Sequence, residues 1–371
     1  MQVGIVAYEL EGESTGVGRY LAGLLSGVRA VAPPGWRFRL FFHRSVPTHE
    51  ILEHPALETM PAPARAPASS VLFEQLQLPS MVRAAGVDVL FSPGYSLPPR
   101  IRVPGVVTIH DLSFERLGGE FGWRERWRRR ILARRAVRTG RRVLVDTETM
   151  RDEVCARYGL PTERVGVVPL AVESRFGARS EPSDAQVLAR VGVGPPYLLF
   201  VGALLERRSP ELMVEALERL LRDDPELRLV VAGPDRLRDP ARFERLCRQH
   251  GVSGRVVRLG WVADEALPAL YRRAAATLYL SRYEGFGLPP LEGLACGTPA
   301  VVGAGLGLDE IWPDYPFRVT ALAPDLVVAA CRSALRCDRS DFARAAGERL
   351  AGSSWERSAE LWISELERAR W

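Results

Sequence analysis

Short apolar runs rich in β-branched residues alternate with longer amphipathic stretches along almost the whole chain. In order they read QVGIVAY, FRLFFH, VDVLFS, GVVTIHD, RVLVDT and RVGVVP, then YLLFVG, LRLVVAG, RVVRLG, ATLYLS and PAVVG. Continuous apolar strands interleaved with helices predict a parallel sheet covered on both faces, because a strand buried on both sides has no reason to alternate. Between Ala171 and Pro196 the pattern lapses into a polar, proline-containing stretch, and it then begins afresh with a strand and a glycine turn. The expected fold class is α/β: two Rossmann-like doubly wound parallel-sheet domains, residues 1–175 and 176–353, facing a central cleft. Ligands of such sheets sit at the carboxyl ends of the strands. The proline-rich PAPARAPASS at 61–70 reads as an exposed loop of the first domain.

Composition narrows the chemistry. The 371 residues suit two domains, and 47% apolar with 26% charged residues is the balance of a folded globular chain. No apolar run approaches the roughly 18 residues of a bilayer span, and the opening MQVGIVAYELEGESTG has neither a basic start nor a cleavage site, so a cytoplasmic protein is expected. Five cysteines without a C-x-x-C pair and scattered histidines give no metal-ligand spacing, so no metal is expected. All 50 basic residues are arginine, and lysine and asparagine are absent. Without lysine there is no pyridoxal phosphate Schiff base and no P-loop ATPase. A net charge of +5 favours an anionic partner: nucleotide, nucleic acid or membrane surface.

Three strand-to-helix junctions carry candidate chemistry. In ELEGESTGVGRY, Gly16 and Gly18 precede a helix beginning near Val17, where bare amides could approach an anion or simply make a tight turn. In YLLFVGALLERRSPEL, the strand leads through Gly202 to Arg207 and Arg208, with Ser209 and Pro210 as helix-start residues. Two arginines before a helix N-terminus suit a diphosphate, or form a solvated charge pair. In YEGFGLPPLEGLACGTP, Glu284 and Glu292 lie eight positions apart, with Glu284 at a strand end and Glu292 expected in the first turn of a helix opened by Pro289 and Pro290. The macrodipole alone could favour Glu292, but not Glu284 or the bare GFG between them; a carboxylate in this place can accept both hydroxyls of a ribose.

EGFGLPPLE resembles the E-x7-E signature of the retaining glycosyltransferases of family 4, which have the two-domain GT-B fold, and in particular the mannosyltransferase-like members. TGVGRY, TIHDLSF, RYGLPTERVGVVPLAVE, VGALLERRSP and SSWERSAELWISEL are similar to further segments of that family, in its order and over nearly the whole chain. The resemblance implies an acceptor-binding first domain, onto which a final helix at about 354–371 packs back, and a second domain that binds the nucleotide-sugar donor. It implies that Glu292 holds the ribose hydroxyls and that Glu284, with the backbone of Phe286, Gly287 and Leu288, contacts donor sugar and phosphates. Arg207 and Arg208 stand where the family has an Arg-Lys pair that neutralises the leaving diphosphate, and Ser209 stands for the usual asparagine. The segment GAGLGLDEI departs from the family pattern, which puts donor contacts near Gly305 to Glu310 in question. His110, after the strand GVVTIH, matches a family histidine near the transferred sugar and is assigned donor contact and transition-state support.

No D-x-D occurs, in keeping with charge stabilisation by arginines and a helix N-terminus. The resemblance implies transfer with retention through a leaving phosphate that itself takes the acceptor proton. GDP-mannose is the expected donor, with UDP- and dTDP-sugars as alternatives, and no further cofactor is expected; the acceptor is a hydroxyl of unspecified identity. Ten arginines lie between residues 122 and 142, with Trp123, Trp127 and Ile131 four apart, so this helix either docks peripherally on anionic membrane or packs with a solvated face. A sugar-nucleotide epimerase on the same fold and a non-catalytic nucleotide-sugar binder are the competing functions. Nucleic acid is not an expected partner, since no aromatic stacking platform is interleaved with the arginines.

Overall fold

The computed structural model describes the chain apart from Glu13, Ser14, Arg65, Leu306 and Trp371. It divides into two compact units: Met1–Ala171 completed by the chain from Ser353 on, and Val172–Gly352. The division falls a few residues before the expected boundary at 175. The polar stretch that follows is not a bare linker, for it holds a helix, Asp184–Val191, whose Asp184 carboxylate accepts from Arg272 Nε at 2.9 Å.

In the first unit β1 (Gln2–Val6), β2 (Arg37–Phe41), β3 (Leu57–Met60), β4 (Val89–Ser92), β5 (Gly105–Thr108), β6 (Arg142–Val145) and β7 (Val165–Val167) form one sheet in the order β3-β2-β1-β4-β5-β6-β7. In the second, β8 (Tyr197–Val201), β9 (Arg228–Ala232), β10 (Val256–Gly260), β11 (Ala276–Tyr279), β12 (Ala300–Gly303) and β13 (Arg318–Val319) lie in the order β10-β9-β8-β11-β12-β13. Each strand pair is parallel, with Ile5 opposite both Leu40 and Phe91, and Thr277 opposite both Leu199 and Ala300. The chain winds outward from the first strand of each sheet and then returns to its other side. This puts the topological switch points between β1 and β4 and between β8 and β11, where ligands of doubly wound folds bind.

The helix Gly16–Val31 starts where Thr15 Oγ1 accepts from the Gly18 amide at 3.0 Å, and it buries Tyr20, Leu21, Leu24, Leu25 and Val28 along one face. Against it lies the last helix, Trp355–Arg370. Gly23 and Gly27 open the groove for this contact: an added Cβ would fall 2.1 Å from Trp355 Cε2 at position 23 and 2.1 Å from the Trp355 carbonyl oxygen at position 27. Farther along, Trp362 is fully buried between Phe38 and Phe91, with ring centroids 5.9 and 5.0 Å away, and Glu365 accepts from Arg142 Nε at 2.6 Å. The first unit's core is therefore closed by the far end of the chain. The proline-rich segment at 61–70 is not wholly exposed: Ala62 and Ala66 pack on the core beside Phe41 and Phe73, and the Pro67 carbonyl oxygen meets His43 Nε2 at 2.7 Å.

Candidate active site

The second unit's switch point is built from the residues that follow β8 and β11. Gly202, with φ of +122°, turns the chain out of β8, and a 3-10 turn, Glu206–Arg208, delivers the two arginines. Arg208 crosses the bare face of Gly202, where a Cβ would stand 2.4 Å from its Nη1. Its nitrogens are all engaged: Nε donates to Glu284 Oε1 at 3.0 Å, Nη1 to the Ala203 carbonyl at 3.0 Å and Nη2 to the Tyr279 hydroxyl at 3.0 Å. The guanidinium also lies 5.1 Å from the Tyr279 ring centroid. Arg207 Nε reaches the same Glu284 oxygen at 3.3 Å, and Ser281 Oγ donates to it at 3.0 Å. Burial opposes the charge of Glu284, but Arg208 and then Arg207 more than offset it and hold the carboxyl below its ordinary pKa. Two guanidinium groups on one carboxylate leave a fixed, positively charged spot at the strand ends.

After Glu284 the chain passes through Gly287, whose φ of +92° no β-branched residue would adopt, into the helix Leu288–Ala295. Glu292 is one residue beyond the first turn, not within it as expected, because the helix opens at Leu288 and the two prolines occupy its second and third positions. The macrodipole, which fades within the first turn, is thus a weaker reason for an acid here. Glu292 is buried, and its Oε2 accepts from the Tyr271 hydroxyl at 2.8 Å. The Phe286 carbonyl accepts from the Gly307 amide at 2.8 Å, and a Cβ at 307 would fall 2.6 Å from the Phe286 ring. The divergent segment 303–311, part of which lies outside the described residues, therefore packs directly on the E-x7-E turn, and its glycine is what lets it.

Ser209 takes the N-cap place of the helix Pro210–Leu220 but does not cap it with its side chain. Its φ is +50°, the single positive value at a non-glycine position among the described residues, and its fully buried Oγ has no hydrogen-bond partner. Asparagine tolerates this left-handed conformation better than serine does, which gives a physical reason for the family's preference.

The remaining candidates lie in the first unit. A Cβ on Gly18 would meet the Glu9 carbonyl at 2.4 Å, so this glycine admits the turn Tyr8–Leu10, and its amide is already taken by Thr15; Gly16 faces open space. His110 follows β5, with Nδ1 2.8 Å from Asp146 Oδ2 and Nε2 2.9 Å from the Pro93 carbonyl oxygen. Both partners are acceptors, so both nitrogens carry protons when both bonds are made. Burial disfavours that cation, yet Asp146 outweighs it and raises the His110 pKa. Tyr20 meets the ring edge-on at 4.6 Å. At the same sheet's switch point, the buried Glu74 carboxylate accepts from the Tyr8 and Ser96 hydroxyls, and burial raises its pKa. Glu74 lies in a π-helical turn, Phe73–Gln77.

The structure thus gathers Gly202, Arg207, Arg208 and Glu284 into one cluster. The turn Phe286–Leu288 and Glu292 continue from it along one helix, and Gly16, Gly18 and His110 belong to the other unit. Sequence reading missed Tyr279, Ser281, Tyr271 and Asp146, each of which ends a strand or lines a helix and looks like core. A polar residue at or just past a strand end was the one signal for Tyr279, Ser281 and Asp146, and Tyr271, inside the helix Leu267–Arg273, gave none.

Known proteins agree with this architecture. The model of Glycosyltransferase Family 4 matches residues 14–176, and that of Glycosyl transferases group 1 matches residues 189–348, each within one half of the chain. The chain belongs to the family 4 glycosyltransferases. Among similar sequences, a D-inositol 3-phosphate glycosyltransferase of Geodermatophilus obscurus is 31% identical over 73% of this chain and 62% of its own. An O-antigen chain mannosyltransferase B of Escherichia coli is 28% identical over 72% of this chain and 71% of its own. The matches to the leading relatives span 56% and 62% of their lengths. Among solved structures, sucrose-phosphate synthase from Thermosynechococcus elongatus superposes with a TM-score of 0.77 at 21% identity over 99% of this chain and 98% of that one. Anabaena HepE, solved with UDP and glucose, gives 0.73 at 17% over 99% of both chains. These likenesses establish the GT-B fold for the family 4 chain.

Proposed function

We propose that this family 4 chain is a retaining, metal-independent hexosyltransferase that moves mannose from GDP-mannose to a hydroxyl acceptor in glycan, glycolipid or natural-product synthesis. The observation that carries the reading is the pair Arg207 and Arg208 fixed on Glu284 at the β8/β11 switch point. When the bond between the sugar's anomeric carbon and the diphosphate oxygen breaks, its electron pair leaves with the phosphate. The acceptor oxygen forms the new bond on the same face and passes its proton to that phosphate. Negative charge grows on the diphosphate, and donors held by Ala203, Tyr279 and Glu284 need no reorganisation to meet it. Glu292 serves the ribose hydroxyls. The mannosyl choice draws support from the E. coli relative, and a uridine donor from the UDP complex of HepE.

A thermal-shift series of the purified protein with GDP, UDP, dTDP, ADP and their sugar conjugates, with and without EDTA, tests this. Stabilisation by GDP and GDP-mannose that EDTA leaves unchanged is expected. A shift by UDP alone would move the donor to uridine, a shift abolished by EDTA would end metal independence, and no shift with any nucleotide would sink the transferase reading.

A further inference from the structure

The helix Trp123–Thr139 turns both its tryptophans and Ile131 outward, while Leu132 is half-buried. Trp123, Trp127 and Ile131 are 71%, 63% and 52% exposed, while the side toward the unit buries only the small residues Ala133, Ala136 and Val137. The outward stripe runs on into Arg134 and Arg138, which are exposed and, among the described residues, form no ion pair with a carboxylate. A second element extends the patch. Leu72 and Leu76, 51% and 69% exposed, lie one turn apart, and Gln75 Oε1 is 3.5 Å from Arg135 Nη1, one turn along from Ile131. Five of the eight exposed large apolar residues of the described chain lie on these two elements, which the Gln75–Arg135 contact joins. Isolated exposed residues of this kind are ordinary, but a joined patch of them marks an interaction surface.

We propose that this two-element face docks on an anionic phospholipid surface, the tryptophans and leucines entering the interface and the arginines meeting lipid phosphates. The charge selects the occupant. The helix carries eight arginines against the single Glu125, whose carboxylate is shared by Arg128 and Arg129, so a second copy would bring the same excess of positive charge to the contact. The helix also ties this face to the sheet. On its inner side Arg129 lies 5.5 Å from the Tyr95 ring centroid and 4.9 Å from that of Phe121, and Tyr95 and Ser96 follow β4 at the first unit's switch point, where Ser96 bonds Glu74. Resting on the transferase reading for this last step, the acceptor hydroxyl belongs to a membrane-anchored molecule taken from the surface on which the helix lies.

The test is sedimentation of the whole protein with vesicles of phosphatidylglycerol and phosphatidylcholine in equal parts, and with phosphatidylcholine alone. Binding to the anionic vesicles that weakens with salt is expected. It should fall about tenfold or more for Trp123→Ser/Trp127→Ser and for Arg134→Gln/Arg138→Gln, all on solvent-facing positions, with melting temperatures unchanged. No sedimentation of the wild type at low salt, or full binding by the tryptophan variant, overturns the docking surface. So does a concentration-dependent dimer that the same variant dissolves while vesicles go unbound. With labelled nucleotide sugar and native membrane vesicles, label in the organic-extractable fraction supports the anchored acceptor, and label confined to water-soluble product overturns it. Vesicle binding with no transfer of label anywhere upholds the docking surface and counts against the transferase reading instead.

Discussion

Arg208 lies across Gly202, so that the backbone turn leaving β8 is shaped by a side chain six residues later. Any side chain at 202 would compete with Arg208 for the same space, and the φ of +122° disfavours one in any case. Because three hydrogen bonds hold the guanidinium, it cannot give way without loosening Glu284. Gly202→Ala should lower kcat/KM for the donor by about tenfold or more, an effect of roughly 1.4 kcal/mol, with some loss of stability. Wild-type kinetics in that variant would show that the close approach has no catalytic consequence.

Ser209 presents the opposite case, a strained position with a remedy. Serine in the left-handed region costs about 1–2 kcal/mol, and a buried hydroxyl without a partner adds to that. Glycine removes both at a cost of about 0.5–1 kcal/mol in chain entropy. Ser209→Gly should therefore stabilise the protein by about 1 kcal/mol, read as a higher urea midpoint at unchanged slope.

Glu292→Gln should weaken nucleotide binding by about 10- to 100-fold, the loss of a charged hydrogen bond of about 1.5–3 kcal/mol. Isothermal titration with the nucleotide that shifts the melting temperature is the measurement. Tyr271→Phe, which removes the bond to Glu292 Oε2 but keeps the charge, serves as the comparison and should cost less.

The His110–Asp146 pair predicts a pH dependence of stability. Burial pushes the Asp146 pKa up and works against the His110 cation, while the mutual attraction raises that of His110 above 6.5. A group raised on folding binds more protons in the native state, so its contribution is complete below the unfolded value and is lost as pH rises through the folded one. Unfolding free energy should thus decline from about pH 6.5 upward in the wild type. Asp146→Asn should flatten that slope, and an unchanged slope would show that His110 does not titrate in this range.

The closing helix offers a packing test. Gly23→Ala puts a methyl group where Trp355 Cε2 stands 2.1 Å away, and overpacking of this kind costs about 1–3 kcal/mol. A lower melting temperature and quicker proteolysis near Ser353 are expected, whereas Gly16→Ala, which faces open space, should leave packing unaffected.

How much of this was legible follows from what each residue must satisfy. Most strands announced themselves as apolar runs, the edge strands β7 and β10 included; β3, LETM with Glu58 breaking its run, and the two-residue β13 did not, since neither holds enough consecutive apolar residues to write a pattern. The E-x7-E spacing and the arginine pair were visible because chemistry demanded rare residues close together. Tyr279 was not: inside ATLYLS it reads as one more core residue, and only the fold shows Arg208 resting on it. Glu74 was hidden in a helical stretch whose widened turn leaves no compositional trace. The direction of Trp123, Trp127 and Ile131 was equally unreadable, because their spacing fits a buried stripe as well as an outward one.

The helix that completes the first unit is made after the whole of the second. A nascent chain emerging from the ribosome exposes the groove of Gly23 and Gly27 and the faces of Phe38 and Phe91 through the whole synthesis of the second unit, and Trp355 and Trp362 arrive only after it. The second unit, continuous in the chain, can finish folding before the first, so the order of completion runs opposite to the order of translation.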